Sequence, residues 1–88
     1  MIRMIHDLKI SPDYFDAVAQ NIKPFEVRKN DRLFKVGDAL CLREWDSGVY
    51  TRRTTRKVIT YILDNPDYVK EGYVILGLAP IKKEETEW

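Results

Sequence analysis

One stretch of the chain has both the spacing and the end signals of an amphipathic helix, and it limits what the rest can form. Ser11, Pro12 and Asp13 provide a serine N-cap, a first-turn proline and an acidic residue near the positive end of the dipole. The apolar residues that follow recur at helical spacing: Tyr14, Phe15, Val18, Ala19 and Ile22. Asn21 suits the left-handed conformation that ends a helix, and Pro24 prevents continuation. The sequence therefore predicts one long helix.

Short strands separated by turn residues account for the rest of the chain. The apolar and alternating runs predict six strands, over residues 3–10, 25–28, 39–45, a segment that begins at 49, 56–63 and 73–78. The run from Val49 to Leu63 is longer than most strands, so we expect a break or bulge near Arg52 and Arg53. The predicted fold class is mainly β with one helix after the first strand (α+β), arranged as a barrel or half-barrel.

The size and composition of the chain narrow the classes of protein it can belong to. Eighty-eight residues can bury one core, which we place in residues 1–79, with a charged tail over 80–88. The chain has no apolar run long enough for a membrane span and no signal-peptide core, so we expect a cytoplasmic protein without membrane contact. Since Cys41 and His6 are the only residues of their types, we expect no metal site and no cofactor.

The charge distribution is uneven although the formal net charge is only +1. Between residues 20 and 60 there are ten Lys and Arg against five Asp and Glu. A basic middle is typical of a protein with a polyanionic partner. It is equally typical of an ordinary solvated surface of mixed charge, and charge alone does not separate the two interpretations.

Three polar residues at the junction of helix and strand are the strongest candidates for a ligand site. Strand alternation places Glu26 and Arg28 on one face, and Lys23 precedes a proline that favours an extended backbone. Two donors and one carboxylate on a single wall could grip a base edge or an anion. The alternative is structural, because Lys23 also complements the helix dipole and Glu26 and Arg28 could neutralise each other.

Residues 21–28, Asn-Ile-Lys-Pro-Phe-Glu-Val-Arg, resemble the signature of the ASCH domains of the PUA-like superfamily. In that signature, Gly-x-Lys-x-x-Glu-x-Arg follows the first helix; here Asn21 replaces the glycine. The similarity to a short bacterial and phage-encoded branch, a domain of unknown function, is closer still. Its pattern covers His6-x-Leu8-Lys9-Ile10, Lys23 to Arg32, Val36-Gly37-Asp38, Glu44-Trp45-Asp46, Tyr50-Thr51 and Gly72 to Gly77. Arg52 stands where these relatives generally carry glycine.

The resemblance implies a PUA-like β-pseudobarrel of about six short strands with a cleft beside the signature strand. It also implies, by analogy of fold, an RNA or nucleotide-like ligand held by Lys23, Glu26 and Arg28. A related subgroup of small amidohydrolases removes the acyl group from acetylated cytidine with a Lys, a Thr nucleophile and a distant Glu. Their Lys corresponds to Lys23 and their Thr to Glu26, so this chain lacks the nucleophilic hydroxyl. Catalysis with Glu26 as general base is the only enzymatic alternative, and we expect a binding module.

Further residues are candidates for contacts at the rim of such a cleft. The nucleic-acid rim would consist of Lys29, Arg32, Arg43, Trp45, Tyr50, Arg52 and Arg53. The aromatic pair among them suits a cross-strand contact equally well, and the basic residues suit a solvated strand edge. His6 is either a site residue or a structural hydrogen-bonding residue. A small phage-type module that binds a protein partner remains the other alternative.

Overall fold

The computed structural model describes residues 4–81 as one curled sheet of five strands with one helix. The elements are β1 (Ile5–Ile10), α1 (Pro12–Ala19), β2 (Phe25–Lys29), β3 (Ala39–Asp46), β4 (Val49–Leu63) and β5 (Tyr73–Pro80). The strand order is β1-β3-β4-β5-β2, with β1 parallel to β3 and all other pairs antiparallel. The first two strands along the chain therefore become the two opposite edges of the sheet.

These two edges lie close together because the sheet curls into a half-barrel. Arg28 of β2 donates a hydrogen bond of 2.6 Å from Nη2 to the carbonyl oxygen of Lys9 in β1. One side chain therefore spans the gap between the edges, which we call the seam. The right-handed twist of strands accounts for such curling in a five-stranded sheet.

An apolar core fills the concave face of the sheet and is covered by the helix. Its buried members are Leu8, Ile10, Phe15, Val18, Leu40, Leu42, Ile59, Val74, Leu76 and Leu78. Phe15 and Val18 come from the helix, and the others come from β1, β3, β4 and β5. Burial of each such side chain contributes roughly 1.5–3 kcal/mol, so this face supplies most of the stabilisation.

The helix begins and ends as its signals predict, but it is shorter than expected. The Ser11 side chain accepts a hydrogen bond from the Asp13 amide at 3.2 Å, and Asn21 has a φ of 62°. The amide of Ile22 donates to the Ala17 carbonyl and that of Asn21 to Val18, which is the Schellman arrangement. Because this turn ends the helix at Ala19 after eight residues, Ile22 does not reach the core and is 71% exposed.

The predicted irregularity in the long strand is present, but it does not divide the strand. Arg43 pairs with Thr54 and Trp45 with Tyr50, so that Glu44 lies opposite three residues of β4, including Arg52 with a φ of 78°. Such a bulge bends a strand while pairing continues on both sides. The prediction of six strands was therefore an overstatement, because residues 56–63 belong to β4 and are not a separate strand; β4 lies at the centre of the sheet.

Two predictions fall partly outside the described residues. The first strand was expected to start at Arg3, and the charged tail to cover residues 80–88. Pro80 is the last residue of β5, and residues 82–88 are outside the described range. Within residues 4–81, no helix has the length and apolar character needed to cross a membrane.

Candidate functional site

Strand β2 turns its polar face inward, the reverse of the usual arrangement in a sheet. Glu26 is 4% exposed, whereas its apolar neighbours Phe25 and Val27 are 40% and 50% exposed. Glu26 pairs with Leu76 of β5, and directly paired residues point to the same face of a sheet. Since Leu76 is buried in the core, Glu26 must also point into the concave side. A carboxylate thus lies at the edge of the apolar core.

The carboxylate of Glu26 bridges the two predicted cations. Lys23 Nζ lies 3.1 Å from Glu26 Oε1 and also donates to the carbonyl of Phe25 at 3.1 Å. Arg28 contacts Oε2 with Nε at 2.8 Å and with Nη2 at 2.7 Å. The side chains of Lys23 and Arg28 retain 20% and 21% exposure, against 5% for Glu26. We call this row the Glu26 cluster; it carries one net positive charge.

The Glu26 cluster keeps polar groups available for a further partner. Within residues 4–81, the contacts of Arg28 use Nε and Nη2, and those of Lys23 use two of its three N–H groups. None of the hydrogen bonds formed within residues 4–81 engages Nη1 of Arg28. Oε1 of Glu26 can accept a second hydrogen bond. The cluster therefore offers donor, acceptor and donor in sequence.

The Glu26 cluster lines a cleft of about 420 Å³, the first cleft. Its other lining residues are Lys9, Ile10, Ser11, Tyr14 and Val27. Tyr14 is 52% exposed, and the centroid of its ring lies 5.0 Å from Lys23 Nζ. Clefts of this size commonly hold small ligands. The structure thus brings Lys23, Glu26 and Arg28 together beside open space. The ion pairs within the cluster also neutralise part of its charge, as the structural alternative predicted.

A second cleft of about 410 Å³ adjoins the first one along the seam. The two clefts share Lys9 and Arg28. The remaining lining residues of the second cleft are Asp7, Leu8, Lys29, Asp31, Arg32, Phe34 and Tyr50. Three of the predicted rim residues, Lys29, Arg32 and Tyr50, therefore lie together here.

The structure does not bring the other predicted rim residues into either cleft. Arg43 forms an ion pair with Asp7 at 2.8 Å on the exposed side of the sheet. Trp45 packs against Tyr50 in a T-shaped pair with 4.7 Å between ring centroids, which is the cross-strand contact considered as the alternative. Arg52 occupies the bulge of β4 and is exposed.

Arg53 belongs to a separate network that sequence reasoning did not identify, the Glu44 cluster. Its Nε and Nη2 donate to the two carboxylate oxygens of Glu44 at 2.9 and 2.8 Å. Its Nη1 donates to Asp16 of the helix at 2.9 Å, and Thr51 donates to Glu44 at 2.6 Å. The guanidinium lies 4.4 Å from the ring centroid of Phe15. The bulge near Arg52 was the available sequence signal, because it points Thr51 and Arg53 towards one carboxylate.

These hydrogen bonds change the proton affinities within the Glu44 cluster. The contacts from Arg53, and next those from Thr51, lower the pKa of Glu44 from 4.5 to about 2. The same hydrogen bond to Glu44 raises the pKa of Arg53. Both effects arise because each contact favours the charged form of its partner. The cluster therefore remains an ion pair across the physiological pH range.

Two more buried polar residues have structural partners. His6 Nε2 lies 2.9 Å from Asp38 Oδ2, which also accepts the amide of Lys35 at 3.0 Å. His6 lines neither cleft, and its environment matches the structural alternative. Lys57 donates to the side-chain oxygen of Asn21 at the end of the helix, and burial lowers the pKa of this lysine. Among residues 4–81, no three His, Cys, Asp or Glu side chains group as metal ligands.

Comparisons with known proteins found a matching family model and a similar phage protein. The family model for a domain of unknown function (DUF3850) matches residues 5–78, which include both clefts. An uncharacterized 12.9 kDa protein in the GpA 3′ region of Escherichia phage P2 is 42% identical over 76 residues. The matched region covers 86% of this chain and 69% of the phage protein.

Proposed function

The chain belongs to the DUF3850 family, and we propose that it is a binding module for RNA or a nucleotide-like ligand, related to the ASCH domains of the PUA-like superfamily. One observation carries the proposal: Lys23, Glu26 and Arg28 converge on an open cleft while keeping unused donors and an acceptor. The relation to ASCH domains is supported by the spacing of these three residues after the helix and by the curled sheet.

The order of groups in the Glu26 cluster suggests how a base would be held. Lys23 and Arg28 are donors on either side of the Glu26 acceptor. The imide edge of uracil has the complementary order, with an N–H group between two carbonyl oxygens. The exposed ring of Tyr14 supplies a surface on which the base can stack, as aromatic side chains do for unpaired bases in RNA complexes. We therefore expect uridine to bind better than N3-methyluridine, in which the central donor is blocked.

The basic residues of the seam support the same ligand class. Lys9 and Arg28 line both clefts, and Lys29 and Arg32 extend the positive charge along β2 and the following loop. Binding should therefore weaken with salt, with a slope near −0.7 on a log–log plot for each phosphate contacted in a single strand. An affinity that stays constant from low to moderate salt would contradict the proposal.

The deciding experiment measures binding of single-stranded RNA by wild type and by Tyr14→Ala. Loss of stacking on one base is worth roughly 1–3 kcal/mol, so the variant should bind at least about fivefold more weakly. Tyr68→Ala is the matched control, since Tyr68 is 78% exposed and lines neither cleft. If wild type binds no RNA, DNA or nucleotide, the proposal fails. A single protein recovered in near-equal amount after nuclease treatment would identify a protein-binding module instead.

The hydrolase alternative has no structural observation in its favour. Both oxygens of Glu26 already accept hydrogen bonds from Lys23 and Arg28. The hydroxyl of Thr51 donates to Glu44 in the other cluster and does not line the first cleft. We expect no release of acetate when the protein is incubated with acetylated cytidine.

A further inference from the structure

The two clefts form one path along the seam. The first cleft is lined by residues near the end of β1 and the start of β2, and the second by residues nearer the start of β1 and the end of β2. The strands therefore run in opposite directions across the seam. The hydrogen bond from Arg28 to the Lys9 carbonyl crosses it at the residues that the two clefts share.

We infer that the seam binds a single-stranded oligonucleotide, with one nucleotide in each cleft and the connecting phosphate at Arg28. This inference rests on the proposed function and extends it from a site for one nucleotide to a site for two. The clefts have nearly equal volumes, about 420 and 410 Å³, and each falls within the range for a small ligand.

The charges of the second cleft favour a phosphodiester chain. Its lining has four basic side chains and two acidic ones, Asp7 and Asp31. Both acids already face a cation, since Asp7 contacts Arg43 at 2.8 Å and Asp31 lies 4.0 Å from Arg32. The unbalanced positive charge comes chiefly from Lys9 and Lys29.

The second cleft is also lined by aromatic side chains, on which a base can stack. Tyr50 is 46% exposed, and Phe34, which also lines this cleft, is half-buried and packs against the core and the ring of His6. Unpaired bases stack on exposed aromatic rings, and the partly exposed Tyr50 offers such a ring in this cleft. At the boundary between the clefts, Nη1 of Arg28 takes part in no hydrogen bond within residues 4–81 and is a donor suited to a phosphate oxygen.

The test compares ligands of one and two nucleotides by isothermal titration calorimetry. The probes are adenosine, cytidine and uridine 5′-monophosphates and the matching dinucleotides pApA, pCpC and pUpU. For the preferred base, the dinucleotide should bind at least tenfold more tightly than the monophosphate. The nucleoside 5′-diphosphate of that base is the charge control, because it adds a phosphate without a second base; it should stay within threefold of the monophosphate.

A double variant tests whether the tighter binding of the dinucleotide depends on the second cleft. Lys29→Gln with Arg32→Gln alters two exposed residues, so the fold should be retained, which thermal unfolding verifies. The variant should lose most of the dinucleotide advantage, so that its affinities for the dinucleotide and the monophosphate differ by less than about threefold. Arg56→Gln is the control, since Arg56 is an exposed residue of β4 that lines neither cleft; it should bind both ligands within twofold of wild type.

The possible results separate this inference from the proposed function. If the monophosphate binds as tightly as the dinucleotide, the two-nucleotide site is wrong and the first cleft alone is the site. If the nucleoside 5′-diphosphate binds as tightly as the dinucleotide, the inference is also overturned, because the added charge alone then explains the higher affinity. If none of the probes nor longer single strands bind, the proposed function itself fails.

Discussion

The Glu26 and Glu44 clusters use the same chemistry and differ in what surrounds it. In each, an inward-facing glutamate accepts two hydrogen bonds from one arginine. In the Glu44 cluster, Arg53 also uses Nη1 on Asp16 and packs over Phe15, so all three of its nitrogens are engaged. In the Glu26 cluster, no hydrogen bond within residues 4–81 engages Nη1 of Arg28, and a cleft lies alongside.

This difference shows that position in the sheet, rather than residue type, separates a structural ion pair from a candidate site. Glu44 lies on β3, between β1 and β4, where the helix closes over it through Asp16 and Phe15. Glu26 lies on the edge strand β2, where the sheet ends and the seam leaves room. The four substitutions below test whether one cluster stabilises the fold and the other binds ligand.

The largest effect on stability should come from Glu44→Gln. Because the pKa of Glu44 is about 2 in the folded protein against 4.5 as its ordinary value, its carboxylate contributes stability that is fully present above pH 4.5. As the pH falls from about 4.5 to about 2, the unfolded chain takes up a proton that the folded chain does not, and this stability is lost. The variant should show the largest fall in Tm of this series at pH 7.

Urea unfolding of wild type and Glu44→Gln between pH 7 and pH 2 measures the effect. The variant should lose less stability than wild type as the pH falls across this window. Parallel pH curves for the two proteins would show that the Glu44 cluster does not stabilise the fold. Binding of nucleotide at pH 7 should be unchanged, since Glu44 lines neither cleft.

The matched substitution Glu26→Gln should affect ligand binding, which Glu44→Gln should not, and should also reduce stability. The neighbouring cations are about a fifth exposed, so water can solvate them when the carboxylate is removed. We expect a loss of about 1–3 kcal/mol in the free energy of unfolding, together with at least tenfold weaker nucleotide binding. Titration calorimetry on protein that thermal unfolding shows to be folded measures this. Unchanged affinity would remove the Glu26 cluster from the proposed site.

A smaller effect is expected from Arg28→Lys, which tests the bridge across the seam. Lysine keeps the charge but cannot contact Glu26 through two nitrogens while also reaching the Lys9 carbonyl. We expect a loss of about 1 kcal/mol in the free energy of unfolding. Arg43→Lys is the control, because its pair with Asp7 is exposed and should matter by less than about 0.5 kcal/mol. Equal losses in urea unfolding would show that the bridge does not hold the edges together.

The smallest effect should be an increase in stability, caused by Arg52→Gly in the bulge beside the Glu44 cluster. Arg52 has a φ of 78°, a left-handed conformation that strains a residue with a Cβ. Glycine removes that strain but adds freedom to the unfolded chain, so the net gain should be about 0.5–1 kcal/mol. Arg52→Ala keeps the Cβ and should give no such gain. A loss of stability in the glycine variant would mean that the arginine side chain itself contributes to the fold.

Local signals in the sequence determined the helix ends, the bulge and the spacing of the candidate site. Ser11, Pro12 and Asn21 act through their own backbone and nearest hydrogen bonds, which explains why the start and end of the helix were predictable. The period of a strand likewise places Glu26 and Arg28 on one face whatever the rest of the chain does. Helix length was overestimated because Ile22 was counted on the helix face although the turn at Asn21 ends the helix at Ala19, and strand number was overestimated because pairing continues on both sides of the bulge in β4.

Only the tertiary structure decided which face of β2 points inward and what stands opposite each charge. The pairing of Glu26 with Leu76 turns the polar face towards the core, and the curl of the sheet brings Lys9 within reach of Arg28. Arg53 likewise finds Asp16 at a separation of 37 residues. Such contacts follow from the strand order, which is set by the burial of the whole apolar surface and not by any short segment of sequence.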